Sequence, residues 1–206
     1  MKIVTDEEEL PFRSNFADII VSSFCLHWIN DLTRCFSRVM EVLRPDGVFI
    51  GSMVGGESLY QLRCSLQLAE NERKGGLGLH VSPLIQPNDL GRLLQKTGFN
   101  MITVDTDQIT INYPTMLDLV IDLQEMGENN CLWNRNLHLD RSVILAATAI
   151  YKEMYGNPDG SIPASFQTFF FIGWKPHESQ PKPLERGSGN FSFKDIKHLD
   201  KILSRK

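Results

Sequence analysis

The sequence predicts an α/β fold built on a parallel, doubly covered sheet, and three consecutive stretches predict it. Ala17-Asp18-Ile19-Ile20-Val21-Ser22-Ser23 is a short apolar run rich in branched residues, the pattern of a strand buried on both faces. Leu32, Cys35, Phe36, Val39, Val42 and Leu43 recur at helical spacing and lay one apolar stripe along a helix. Val48-Phe49-Ile50-Gly51-Ser52-Met53 is a second buried strand. Strand, helix and strand within about 35 residues make a βαβ unit, whose crossover sets the two strands parallel.

The remaining elements follow in chain order. Asp31 is placed to cap the first helix, and Arg44-Pro45-Asp46-Gly47 stops it and turns the chain. Glu57 to Arg73 reads as a helix with Leu59, Leu62, Leu66 and Ala69 as its apolar stripe. The loop Gly75-Gly76-Leu77-Gly78 follows it. Pro87-Asn88-Asp89 opens another helix, with Leu90, Leu93 and Leu94 inward and Gly98 at its end. Met101 to Tyr113 is a strand, given Ile102, Val104, Ile109 and Ile111. Met116 to Met126 and Arg141 to Tyr155 are helical, and Phe166 to Trp174 is a last, aromatic strand. The insertion from Pro114 to Pro163 is expected to form a helical lid or protein-contact surface. Within that reading Met116, Leu117, Met126, Trp133 and Trp174 are core, and Trp133 with Arg135 is the alternative contact pair.

Composition narrows the function classes. The 206 residues are 42% hydrophobic, which suffices for one core. A net charge of −4 gives no reason to expect a nucleic-acid partner. No apolar run approaches the ~20 residues that span a bilayer. Cys25, Cys35, Cys64 and Cys131 form no C-x-x-C pair, so neither a zinc site nor a disulfide framework is indicated, and a reducing compartment fits. The first residues run into Asp6-Glu7-Glu8-Glu9 and match neither a secretory signal nor a mitochondrial presequence. From Pro176 onward seven Lys and Arg stand against four Asp and Glu, a net +3, leaving −7 for the rest. We read residues 1–175 as one partial domain, with 114–163 its helical insertion, and 176–206 as a basic, flexible tail. Phe191 to Leu203 is a short amphipathic stretch of that tail.

Ligands of an open parallel sheet sit beyond the carboxyl ends of its strands. That rule selects Asp6 to Phe12, Ser22 to Asp31, and Gly51 to Glu57. His27 there is either a hydrogen-bonding or basic group near neutral pH or a packing residue. Trp28 is a pocket wall or core. Gly55-Gly56 either lets backbone approach a ligand or makes a strand-to-helix turn. The spacing His-x-Asp, at His138/Asp140 and His198/Asp200, is a weak match to a facial iron triad. We count no metal site.

Four ordered motifs carry a resemblance: Asp6-Glu7-Glu8-Glu9-Leu10-Pro11-Phe12, Asp18-Ile19-Ile20-Val21-Ser22, Leu26-His27-Trp28, and Leu43-Arg44-Pro45-Asp46-Gly47. Together they resemble the second half of a class I S-adenosylmethionine-dependent methyltransferase. The resemblance implies a Rossmann-like sheet, from the end of strand three through strand seven, whose N-terminal strands and Gly-rich donor loop are missing, so that the chain is a truncated or alternative form. Further stretches, among them Gly55-Gly56-Glu57-Ser58-Leu59-Tyr60, Asn112-Tyr113-Pro114, Ile172-Gly173-Trp174-Lys175 and Glu185-Arg186-Gly187-Ser188, resemble the mitochondrial complex I assembly factors of the arginine-hydroxylase type.

That resemblance implies S-adenosylmethionine as cofactor. Asp6 would accept from the adenine amino group, with Glu7 beside it, and Ser22, Leu26 and His27 would border the methionine part. It implies a matrix protein, peripheral to the inner membrane, that hydroxylates an arginine of a complex I (NADH:ubiquinone oxidoreductase) subunit or assembly intermediate. A methyltransferase of the malonyl-carrier-protein type and a non-catalytic assembly module are the alternatives.

Overall fold

In the computed structural model the described residues are 2–188 except 77, 83, 129, 131, 133, 134, 136, 137, 184 and 185. Trp133, Cys131, the amphipathic stretch 191–203 and the pair His198/Asp200 therefore lie outside the described residues. Residues Met1–Pro176 form one unit and His177–Lys206 a second. The described part of the second holds a turn in which Gln180 N–H donates to His177 O, and it has no helix or strand.

Four strands make the sheet: β1 (Ala17–Ser23), β2 (Leu43–Val54), β3 (Asn100–Tyr113) and β4 (Ile162–Trp174), in the order β1-β2-β4-β3. β1 and β2 are parallel across α1 (Leu32–Val42), as the βαβ pattern requires. β4 is antiparallel to both β2 and β3, so only one of three pairings is parallel and the fully parallel expectation is corrected. The α/β class and the helical segments before the last strand stand as read. Asp31 caps α1 by accepting from Arg34 N–H. α1 ends at Val42, where Pro45 disfavours further helix. The chain does not turn away there: residues 44–47 form a bulge inside β2, with Asp46 at φ +65° and the register stepping from Ala17↔Leu43 to Ile19↔Val48.

Among the described residues none before Ala17 is in a strand, so the expected end of a third strand is absent there. Segment 5–12 is instead strapped to α1. Arg38 donates to the carbonyls of Leu10 and Phe12, Arg34 pairs with Glu9 at 2.7 Å, and the Glu8 carboxylate accepts from Asn30 N–H. Side chains thus supply partners that a neighbouring strand would otherwise give.

Two cores flank β4. The first joins Phe36 of α1, Phe49 of β2, Phe169 and Phe171 of β4, and Leu90 and Leu94 of α3 (Pro87–Lys96). Its rings meet edge-on, Phe49 against Phe171 at 5.2 Å. The second joins α2 (Tyr60–Lys74), α4 (Met116–Glu125) and α5 (Arg141–Tyr155) to Tyr113 and to Ile162 and Ala164 of β4. Leu59, Leu62, Leu66 and Ala69 are all buried there. α2 begins at Tyr60, later than its periodicity suggests, because Leu59 takes φ +55° and donates its N–H to Ser165 O.

β1 is not buried on both faces. Ile20 packs into the first core, whereas Ile19 and Val21 are 61% and 68% exposed, and Ile50 and Phe170 share their exposure. Side chains alternate across a strand, and no described helix covers the second face. Leu117 and Met126, expected in the core, are exposed. The inward stripe of α4 is Met116, Leu119 and Leu123 instead. Trp174 is half-buried. Asp140 is the N-cap of α5 and accepts from Ser142 N–H and O–H, which hold its carboxyl below the usual range, so His138/Asp140 serves a helix end. Among the described residues no cluster of His, Cys, Asp and Glu could hold a metal ion, and no helix is long and apolar enough to cross a membrane.

Burial of Cys35 in the first core, with Cys25, Glu8, Glu7 and Asp31 nearby, pushes its thiol from 9.0 up to about 12. A group whose pKa is raised on folding contributes stability that is intact below its unfolded value and lost as pH climbs to the folded one. Urea midpoints are therefore expected to fall between pH 9 and about 12, and to fall less steeply for Cys35→Ala. Equal pH slopes for the two proteins would contradict the burial argument.

Candidate functional site

β1 and β2 end side by side, with Ser23 paired to Ser52, so both exits open at one end of the sheet. Beyond β1, Phe24 N–H donates to Ser52 O and a 3-10 turn covers Leu26–Trp28. The turn sends Leu26 into the first core and brings His27 and Trp28 to the wall of a cavity of ≈ 340 Å³. Beyond β2, Gly55 N–H donates to Gln167 O and Gly56 N–H to Ile85 O. A Cβ at Gly55 would lie 2.5 Å from Phe169 Cζ, and one at Gly56 would lie 2.6 Å from Gln86 Nε2. Of the two readings of this glycine pair, the structure supports the turn: its close neighbours are protein atoms.

The opposite wall comes from the helices. α4 ends at Glu125 with Met126 as its C-cap, and Gly127 at φ +80° lets its own N–H reach Gln124 O while Glu128 N–H reaches Leu123 O. This double closure of the last turn needs a residue that tolerates the left-handed region. It delivers the Glu128 carboxylate to His27, with Oε1 2.9 Å from Nε2 across 101 residues of sequence. His80, from the loop after α2, also lines the cavity. Its Nε2 lies 2.8 Å from Oε1 of the buried Glu70, but off the line of a hydrogen bond. The loop passes so close to Glu70 that a Cβ at Gly78 would overlap the carboxylate.

The rest of the lining is mainly apolar, including Val54, Leu62, Leu123 and Phe166. Ser58, also in the wall, is committed to the fold: its hydroxyl donates to Gln167 O and accepts from Gln167 N–H. The cavity thus combines a long apolar wall with two histidines, each backed by a glutamate. A second, open groove between Glu8–Pro11 and α1 is larger, ≈ 550 Å³, but its charged groups Arg34, Arg38, Glu9 and Glu41 pair with one another or with backbone.

Of the five residues read from sequence, only His27 lines the cavity at the strand ends. Asp6 and Glu7 are exposed on a turn in which Asp6 Oδ1 accepts from Glu8 N–H. Ser22 Oγ sits 3.1 Å from Cys25 Sγ, and Leu26 is core. These residues do not by themselves enclose an S-adenosylmethionine. Glu128, His80 and Glu70 were not read as site residues. Met126-Gly127-Glu128 signals a helix end, but no local pattern tells which distant side chain Glu128 meets.

The chain is similar to several known proteins. The family described as a methyltransferase domain matches residues 2–51. The mitochondrial arginine-hydroxylase NDUFAF5 of Danio rerio is 58% identical over 202 residues, covering 98% of this chain and 63% of the relative. Its counterpart in Homo sapiens is 54% identical, covering 98% and 59%. The malonyl-[acyl-carrier protein] O-methyltransferase of a Methylovorus species is 27% identical, covering 84% and 56%. The chain thus spans less than two thirds of the length of these relatives. Among solved structures, a putative methyltransferase from Bacillus halodurans aligns with TM-score 0.52 at 13% identity, covering 84% of this chain and 76% of that one. The YcgJ protein from Bacillus subtilis aligns with TM-score 0.53 at 14% identity, covering 84% of this chain and 70% of that one. At these identities the structures share the fold alone.

Gly55→Ala is expected to cost about 1–3 kcal/mol by overpacking against Phe169. Gly76→Ala, where a Cβ meets nothing within 4 Å, is expected to stay within about 0.5 kcal/mol. Urea denaturation of the two variants checks this, and equal losses would contradict the packing role of Gly55.

Proposed function

We propose that the chain belongs to the class I methyltransferase-like family that includes the mitochondrial arginine-hydroxylases. The whole protein is a complex I assembly factor that hydroxylates an arginine of a complex I subunit. It acts in the mitochondrion, on the matrix side and peripheral to the inner membrane. The observation that carries this reading is 58% identity along 98% of the chain to the Danio rerio arginine-hydroxylase. The cavity at the carboxyl ends of β1 and β2 supports it, because that end of an α/β sheet is where ligands bind.

S-adenosylmethionine binding belongs to the same proposal for the whole protein, with Asp6 and Glu7 on the adenine side and Ser22, Leu26 and His27 toward the methionine part. In this chain those side chains do not share one volume, so no chemical step is assigned to the cofactor. The same observation favours a second reading for the 206-residue chain, a non-catalytic assembly module.

Two measurements separate these readings. Mass spectrometry of complex I subunits after loss of the gene is expected to show an arginine without its added oxygen atom. An unchanged oxygen increment would remove the hydroxylase reading. Titration calorimetry of the 206-residue chain with S-adenosylmethionine is expected to show no binding tighter than about 1 mM. Micromolar binding would remove the module reading and show that the chain holds the donor unaided.

A further inference from the structure

One face of the sheet keeps an apolar patch in the open. Pairing sets Val21 of β1 beside Ile50 of β2, and Ile50 beside Ile172 of β4. Ile19 lies two residues from Val21 along β1, and Phe170 two residues from Ile172 along β4, so strand alternation keeps both on that face. Ile19, Val21, Ile50 and Phe170 are all exposed, by 40% to 68%. The opposite face of these strands carries Phe49, Phe169 and Phe171, packed with α1 and α3. Nearer the start of β4 the same face is covered as well: Ile162 and Ala164, in step with Phe170, pack with α2, α4 and α5. The layers that cover this sheet among the described residues are thus helical, and they stop short of Phe170. A contiguous apolar patch on a sheet marks a contact surface for a further layer.

Charge selects what that layer is. On β3, Asp105 pairs with Phe170 and Asp107 with Thr168, which puts both acids on this face, along its far edge. Both are exposed, and among the described residues neither joins an ion pair. Their carboxylates accept from the N–H groups of Thr106 and Gln108. β1, β3 and β4 contain no Lys or Arg, and the one in β2, Arg44, lies in the bulge and pairs with Asp18. A complementary partner is therefore apolar at its centre and basic on one flank. A second copy docked face to face offers only acids at that flank, and an anionic lipid surface is repelled by them.

Dimensions point to a helix. An α-helix is ~10–12 Å across and strands lie ~4.8 Å apart, so one helix along the strands covers β2 and β4. Asp105 and Asp107 stand ~6.8 Å apart along β3. Residues i and i+4 of a helix are ~6 Å apart along its axis, which matches that step. We propose that this face docks an amphipathic helix of a partner protein, with its apolar stripe on Val21, Ile50 and Phe170 and two Lys or Arg residues, one turn apart, on Asp105 and Asp107. The inference is independent of the cavity and of the arginine-modifying reading.

The test is a methyl-resolved NMR titration of the 206-residue chain with two synthetic peptides of about 18 residues. Both carry a Leu stripe at helical spacing. One has two Lys four residues apart on one flank, and the other has Glu at the same two places. The Lys peptide is expected to shift the methyl signals of Ile19, Val21 and Ile50, to leave those of the buried Leu90 and Leu94 in place, and to gain helix by circular dichroism. The Glu peptide is expected to bind about tenfold more weakly at low salt, and within about threefold of the Lys peptide at about 0.5 M salt. Replacing both acids, Asp105→Lys with Asp107→Lys, is expected to reverse the preference, with Leu90 and Leu94 reporting that the fold is kept. The milder pair Asp105→Asn with Asp107→Asn is expected to erase it. No shift at Ile19, Val21 and Ile50, equal binding of the two peptides at low salt, or an unchanged preference in both pairs of variants overturns the proposal. Sedimentation that shows the chain paired with itself, with the same three signals moving as it is concentrated, assigns the face to a second copy and overturns it too. So does displacement of the Lys peptide by phosphatidylcholine–phosphatidylserine vesicles that move those signals.

Discussion

β4 enters the sheet between β2 and β3, antiparallel to both, and the two cores and the cavity follow from that placement. Its first residues, Ile162 and Ala164, face the three helices of the second core. Its later residues, Phe169 and Phe171, face α1 and α3 in the first. One strand thus stitches together two hydrophobic clusters that share no helix. Because β4 returns after α5, the helices that precede it must lie near the sheet end where β1 and β2 stop. β4 also supplies Gln167, whose backbone and side chain hold the turn at Gly55 to Ser58. The cavity floor is therefore fixed by a strand that contributes only Phe166 to its lining.

The contact between His27 and Glu128 is one point at which the sheet end and the helical segment meet in polar chemistry. One partner is nearly inaccessible and the other is partly open, so the pair has lost much of its hydration and keeps its geometry only if both backbones are held. The 3-10 turn after β1 holds one, and the left-handed Gly127 holds the other. Around this contact the wall is hydrocarbon, which strengthens each polar interaction made inside it.

Much of the fold was legible wherever a local pattern decides the outcome. The Asp31 cap, the stripe Cys35, Phe36 and Val39, and the stripe Leu59, Leu62, Leu66 and Ala69 depend on residues a turn or two apart, and each lies where its spacing puts it. What failed depends on partners far away in sequence. The branched residues of β1 say strand, but burial of its second face needs a covering layer that no described residue provides. Arg44 to Gly47 carries turn chemistry, yet β1 pairs with the chain on either side of it and the backbone of Lys175 bonds to Asp46 and Gly47 within it, which draws it into β2 as a bulge. The direction of β4 is not written in its own residues, since a run of Phe and Ile fits either orientation. In the candidate site, His27 was found because it follows a strand, whereas Glu128 and His80 sit in loops whose composition is ordinary. Their role appears only when the helices fold back over the strand ends.

The helical segment before β4 is locked to the sheet end through His27 and Glu128. A double-mutant cycle measures this most directly, using His27→Asn, Glu128→Gln and the double variant in urea denaturation. A coupling of at least about 1 kcal/mol is expected, within the range found for residues in direct contact. Additive losses, within about 0.5 kcal/mol, would contradict it.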